Sequence, residues 1–234
     1  MNQTNGSFLS TIPTVTKNLI IINLLFWVAS LSLPKIGIDL VDLLGLHVPG
    51  ATDFKAYQLF TYMFMHDTRS FGHVFFNMFA VYMFGRVLEN VWGPKRFLTY
   101  YLICGIGAGL IQELVQYVEY LAVWSNYDSV NTGLNIIPMD VFLNQLTTVG
   151  ASGAVYGILL AFGMLFPNSQ MFVFPIPVPI KAKYFVIGYA VLELLLGLGS
   201  NDGVAHFAHL GGMLFGLILI VYWRKKNGGG RIYY

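Results

Sequence analysis

Ser152 lies in the run Gly150-Ala151-Ser152-Gly153-Ala154, and two histidines follow far downstream in Ala205-His206-Phe207-Ala208-His209-Leu210-Gly211-Gly212. A serine hydroxyl is a weak nucleophile until a base takes its proton, and histidine, with an unperturbed pKa of about 6.5, is the usual base near neutrality. The small residues around Ser152 leave the backbone open to close approach by a substrate. The same run also reads as a small-residue packing motif of membrane helices. His209 is the better base because Gly212 shares its helix face, and Gly212 with Gly216 forms a GxxxG surface able to lie against Gly153 and Gly157. His206 remains a rival base and otherwise reads as a histidine at a wet helix mouth. Asp202 precedes His209 by about two turns, too far for the direct hydrogen bond of a triad, and reads as a helix cap. The sequence therefore predicts a Ser–His dyad with no acidic third member.

His73 and Asn77 are spaced i, i+4 and point the same way from one helix. Both can donate hydrogen bonds, which suits stabilising an oxyanion together with the Ser152 backbone N–H. Their alternative role is an interhelical pair that holds a bundle together. Other chemistries lack their residues: there is no HExxH metal motif, and no aspartate pair falls within an apolar segment. Cys104 is the single cysteine, which excludes an intrachain disulfide and a thiolate cluster and reads as a small buried side chain. Glu113 and Glu193 face no evident basic partner and read as structural or as marks of a proton path.

The elements that must position these groups are membrane helices. Of the 234 residues 56% are hydrophobic and only 10% charged, with a mean hydropathy of +0.64, far from the roughly 25% charged residues of a soluble domain. The formal charge of +2, without basic residues interleaved with aromatics, gives no footprint for nucleic acid. Six apolar segments can be drawn at about 18–33, 71–88, 96–115, 151–166, 183–198 and 203–223. They divide the chain into a cytoplasmic N-terminal segment 1–17, a membrane domain 18–223 and a cytoplasmic tail 224–234. The first segment lacks a small-x-small cleavage site and reads as a retained helix.

Taking the loops alternately, Lys17, Arg86, Lys95, Arg96, Lys181, Lys183, Arg224, Lys225, Lys226 and Arg231 fall on one side, leaving Lys35, Lys55 and Arg69 on the other. The positive-inside rule then places both termini in the cytoplasm. His73, Asn77, Ser152, His206 and His209 all come to lie near the outer ends of their helices. The fourth segment, from Ser152 to the breaker Pro167, spans only about 22 Å against a hydrocarbon core of about 30 Å. Ser152 would thus start a submerged helix, whose free N–H groups and positive dipole end point where an oxyanion develops. In the long segment 34–70, the apolar stretch Tyr57–Met65 reads as interfacial or in-plane, packed against the bundle. The run Pro175-Ile176-Pro177-Val178-Pro179 reads as a stiff cytoplasmic connection.

His66, His73-Val74-Phe75-Phe76-Asn77, Gly150-Ala151-Ser152-Gly153 and Ala205 to Gly212, in that order along the second, fourth and sixth segments, resemble the rhomboid intramembrane serine proteases. The resemblance spans about residues 18–223. It implies an all-α, polytopic six-transmembrane-helix bundle that cleaves transmembrane segments of other proteins near the outer face, with Ser152 as nucleophile and His209 as base. His73, Asn77 and the Ser152 amide would stabilise the oxyanion. Gly150 and Gly153 would keep the backbone open, Tyr156 would stack on the catalytic histidine and His66 would hold the first loop. Helix five and the loop before helix six would act as the gate. The family needs no metal or cofactor; its partners are transmembrane protein substrates and the lipid bilayer, and the expected location is a bacterial cell membrane. A Trp-Arg pair often seen in the family's first loop is replaced by Ala56-Tyr57-Gln58, which puts the anchoring of that loop in doubt. The competing reading is a catalytically inactive relative that binds membrane clients. A transporter would call for inverted-repeat hydropathy and paired broken helices, and neither pattern is found.

Overall fold

The computed structural model describes residues 11–172, 178–199 and 203–226. Five helical runs are long and apolar enough to cross a membrane: Thr14–Ile36, Phe71–Trp92, Pro94–Trp124, Ala182–Gly199 and His206–Lys226. The remaining expected span is a helix of only 14 residues, Ser152–Leu165. In chain order the elements are α1 (Thr14–Ser32), α2 (Leu40–Leu44), β1 (Leu46–His47), α3 (Gln58–Thr61), α4 (Phe71–Ala80) and α5 (Arg86–Trp92). There follow α6 (Pro94–Glu119), β2 (Ser129–Asn131), β3 (Ile136–Pro138), α7 (Met139–Gln145), β4 (Thr147–Thr148) and α8 (Ser152–Leu165). The chain then runs through β5 (Gln170–Met171), β6 (Ile180–Lys181), α9 (Ala182–Gly199) and α10 (His206–Lys226). The fold is an all-α multi-pass membrane bundle whose strands are two-residue or three-residue clips between loops.

Local chemistry explains where the helices differ from the expected bounds. The first helix starts at Thr14, ahead of 18, because the Glu89 carboxylate accepts the Val15 and Thr16 N–H groups at 2.9 and 2.7 Å and the Thr16 hydroxyl at 2.8 Å. These are N–H groups that no earlier turn of helix can satisfy. The chain breaks between α5 and α6 at Gly93, in a positive-φ conformation (φ 78°), followed by Pro94 at the first helical position. The third span continues through a π-helical turn, Tyr120–Trp124, well past the expected end at 115.

The core is built by α6, α8 and α10. A Cβ added to Gly212 of α10 would fall 1.8 Å from the Gly153 carbonyl oxygen, and one added to Gly157 of α8 would fall 2.5 Å from the Cys104 sulfur. Gly212 therefore meets α8 backbone against backbone, as the spacing suggested, whereas Gly216 faces the Tyr100 ring and Cys104 of α6. Cys104 is fully buried between α8 and α10, and the Tyr100 hydroxyl on α6 donates to the Gly157 carbonyl at 2.8 Å.

The first long loop is tied to the bundle. Tyr62, Met63 and Met65 are buried, and the Tyr62 hydroxyl donates to the Gly105 carbonyl at 2.7 Å. Antiparallel pairing sets Leu46 against Thr148 and His47 against Thr147, so β1 in this loop holds β4, just before Ser152. Gln58, in the triplet that stands in for the missing Trp-Arg pair, is buried. Its side-chain N–H group donates to the Asp53 carbonyl at 3.1 Å and lies 3.2 Å from His47 Nδ1, while its oxygen accepts the Lys55 N–H at 3.0 Å. The loop thus has a polar anchor of its own. Asp202 and most of the proline run between α8 and α9 lie outside the described residues.

Candidate active site

Ser152 is the first residue of α8, and the turn that delivers it depends on Gly150. That glycine has φ 132°, a region that L side chains rarely adopt, and its N–H donates to the Tyr62 carbonyl at 3.0 Å. The Val155 N–H donates to the Ala151 carbonyl at 3.0 Å, so the amides of Ser152, Gly153 and Ala154 precede it at the helix end. Such amides have no intrahelical acceptor and carry the positive end of the helix dipole.

The Ser152 Oγ is 2.9 Å from His209 Nε2. On its other side the imidazole approaches Glu193 of α9, with Nδ1 2.8 Å from Oε2. A carboxylate only accepts, which fixes the proton on Nδ1 and leaves the Nε2 lone pair for the serine hydroxyl. The same Oε2 lies 2.6 Å from His206 Nδ1, and the Tyr156 hydroxyl donates to Oε1. Tyr156 also stacks flat on His209, centroids 4.1 Å apart and planes 8° from parallel. The imidazole is held by stacking on one face and by hydrogen bonds at both nitrogens. That arrangement can move a proton from a serine hydroxyl to a leaving group.

His73 and Asn77 lie on α4. The Asp67 N–H donates to His73 Nδ1 at 3.3 Å, which places the His73 proton on Nε2. A Cβ built on Gly150 would sit 2.9 Å from that Nε2 and 3.5 Å from the Ser152 Oγ. Gly150 therefore keeps open a gap bordered by the Ser152 hydroxyl and an N–H donor. The Asn77 amide nitrogen donates to the His73 carbonyl at 2.8 Å, within its own helix, leaving its second N–H for another acceptor. His66 is fully buried and packs edge-on against His73, with centroids 5.1 Å apart.

Three readings are corrected. Glu193, expected to lack a basic partner, bonds two histidines and a tyrosine. His206 is a buried partner of that carboxylate and no longer reads as a histidine at a wet helix mouth. His209 lies one turn into α10, which starts at His206 and not at about 203 as the sixth apolar segment is drawn. Local spacing bears only on residues a turn or two from His209, such as Asp202, whereas the acid that meets it, Glu193, lies 16 residues upstream. The missed signal was the cost of Glu193 itself, since a carboxylate in a membrane helix needs donors close by, and His206 and His209 offer two on one helix face. Glu193, His206 and His209 bring three ligand-type atoms within 4.8 Å of one another. The 2.6 and 2.8 Å separations are those of hydrogen bonds, shorter than the roughly 3.3 Å between ligands about a tetrahedral zinc.

The Rhomboid domain family model matches residues 53–226, a stretch that includes His73, Asn77, Ser152, Tyr156, Glu193 and His209. Over 165 residues the chain is 32% identical to the rhomboid protease AarA of Providencia stuartii, covering 68% of this chain and 53% of that one. It is 27% identical over 160 residues to the mitochondrial rhomboid protein 1 of Saccharomyces cerevisiae, covering 67% of this chain and 39% of that one. It is 28% identical over 170 residues to the human mitochondrial presenilin-associated rhomboid-like protein, covering 68% and 37%. The matched stretch spans about half or less of these relatives' own lengths. With the model match reaching from the first loop through α10, this chain belongs to the rhomboid family.

Proposed function

We propose that the chain is an intramembrane serine endopeptidase that cleaves transmembrane segments of other membrane proteins, with Ser152 as nucleophile and His209 as general base. The observation that carries this reading is the 2.9 Å contact of Ser152 Oγ with a His209 Nε2 whose other nitrogen is already engaged. His209 takes the hydroxyl proton as Oγ attacks the scissile carbonyl carbon. The tetrahedral oxyanion is met by the Ser152 amide at the α8 N-terminus, by His73 Nε2–H across the gap at Gly150, and by the second N–H of Asn77. The intermediate collapses by breaking the C–N bond while His209 returns the proton to the leaving amine. Water then attacks the acyl-enzyme under the same base. Both termini are cytoplasmic in this reading, and cleavage falls near the outer face, where Ser152 begins its short helix. An inactive client-binding relative would have no need of a hydrogen-bonded serine–histidine pair.

The test is cleavage of a transmembrane reporter in liposomes by wild type, Ser152→Ala and His209→Ala, with fluorophosphonate labelling in parallel. Loss of cleavage and labelling in both variants is expected. A wild-type protein that cuts none of several reporters and takes no label would refute the protease reading.

A further inference from the structure

Glu193 is a membrane-helix carboxylate surrounded by donors: His209 Nδ1 at 2.8 Å, His206 Nδ1 at 2.6 Å and the Tyr156 hydroxyl. Removing a carboxylate from water is costly unless it is well bonded, so a residue kept here must return something specific. Its Oε2 faces the nitrogen of His209 opposite to the one that touches Ser152. It thereby selects the tautomer in which Nε2 is an acceptor, and it faces the positive charge that appears on the ring when Ser152 gives up its proton.

We propose that Glu193 is a positioning residue for His209, converting the dyad into a Ser152–His209–Glu193 relay, with His206 and Tyr156 clamping the carboxylate in place. The inference rests on the protease reading above and names a further residue for the same reaction. Its three members come from three helices: Ser152 from α8, His209 from α10 and Glu193 from α9. Three of the 18 residues of α9 are buried, against eight of 21 in α10 and nine of 14 in α8, so the least embedded of the three helices carries the orienting group. The base is fully competent only while α9 is docked against α8 and α10. His206 has a defined part in this scheme. Its hydrogen bond to the same Oε2 holds the carboxylate at His209 while leaving His209 Nε2 free to work.

The experiment measures kcat, KM and the rate and endpoint of fluorophosphonate labelling for wild type, Glu193→Gln and Glu193→Asp in liposomes. Glu193→Gln keeps the side-chain shape but not the charge. It is expected to lower kcat and the labelling rate by at least about 100-fold, where loss of the acidic member of a serine triad costs about 10⁴-fold, while KM changes by less than about 3-fold and labelling still runs to the wild-type endpoint. Glu193→Asp retains the carboxylate and is expected to label at least about 10-fold faster than Glu193→Gln, and it decides the matter against wild type if the Gln protein fails to reach the endpoint. The inference is overturned if Glu193→Gln cleaves and labels within about 3-fold of wild type, or if Glu193→Asp is no faster than Glu193→Gln. It is equally overturned if Glu193→Asp also fails to reach the endpoint, because the carboxylate is then holding the fold. A wild type without cleavage or labelling is a different result, which refutes the protease reading itself.

Discussion

The Gly150 N–H donates to the Tyr62 carbonyl at 3.0 Å, which joins the first long loop to the turn that presents Ser152. Tyr62 is itself pinned by its hydroxyl to the Gly105 carbonyl of α6, and two residues before Gly150 the β1–β4 pair repeats the connection. Ser152 is thus placed by loop-to-loop backbone bonds more than by α8 alone. A helix whose first three amides have no intrahelical acceptor gains its fixed entry angle from this outside support.

Gly150→Ala should therefore sharply lower the proposed cleavage activity while leaving most of the fold standing. The added methyl would lie 2.9 Å from His73 Nε2 on a backbone at φ 132°. The backbone strain alone is worth about 1–3 kcal/mol. The expected result is a fall in reporter cleavage of more than about tenfold, in line with loss of one oxyanion donor, together with a modestly lower thermal midpoint. Activity within about threefold of wild type would show that the gap beside Ser152 is not where the oxyanion forms.

Tyr156 makes two separable contacts with the site, a stack on His209 and a hydrogen bond to Glu193. Tyr156→Phe keeps the ring and deletes only the hydroxyl. A hydrogen bond to a charged group is worth about 1.5–3 kcal/mol, so kcat should fall by about tenfold or more if the clamp on Glu193 matters to the base. Tyr156→Ala removes the stack as well and should fall further. Equal activity of Tyr156→Phe and wild type, measured as kcat on the same reporter, would assign the tyrosine to packing alone.

Much of this was readable before any coordinates, and the reason differs by residue. Ser152, His209, His73 and Asn77 could be singled out because polar groups inside apolar segments are few and costly, and the Gly212–Gly216 spacing pointed to the α8 contact through a periodicity that backbones enforce. Glu193 was visible as an oddity but not as a partner, because its contact with His209 joins two separate helices, a pairing that no local rule supplies. Gln58 was passed over for a related reason. A lone glutamine in a loop carries no signature until the chain folds back and sets His47 and Asp53 around it. The Glu89 carboxylate at the start of α1 sits 73 residues away in sequence from Thr16, and helix-capping rules search only the nearest few positions.

His66 gives a pH prediction. Burial, helped by the nearby His73, pushes its pKa down from 6.5 to about 3. Between those values the unfolded chain binds the proton and the folded one does not, so this stability is fully present above about pH 6.5 and is lost as pH falls toward 3, at up to about 1.4 kcal/mol per unit. Denaturation midpoints in detergent should drop steadily from pH 6.5 to 4, and His66→Gln should flatten the slope by up to one proton. An unchanged slope in that variant would place the acid sensitivity elsewhere.

Docking of α9 can be tested without touching the site. A Cβ built on Gly163 of α8 lies 3.2 Å from the Val186 Cβ of α9, close to the roughly 3.5–4.5 Å that a disulfide spans. Cys104, the single natural cysteine, is fully buried and should not compete on oxidation. In a Gly163→Cys/Val186→Cys protein the oxidised form holds α9, and with it Glu193, against the bundle. A small fluorophosphonate then still finds an oriented base, and its labelling rate should stay within about threefold of the reduced form. A transmembrane reporter has to pass between helices, so its cleavage should drop by more than about tenfold and return on reduction. If both readouts fell together on oxidation, the docked position of α9 would be incompatible with the working base, and Glu193 would have to act from some other arrangement of the helix. If neither changed, substrate would be entering by a route that leaves the α8–α9 contact closed.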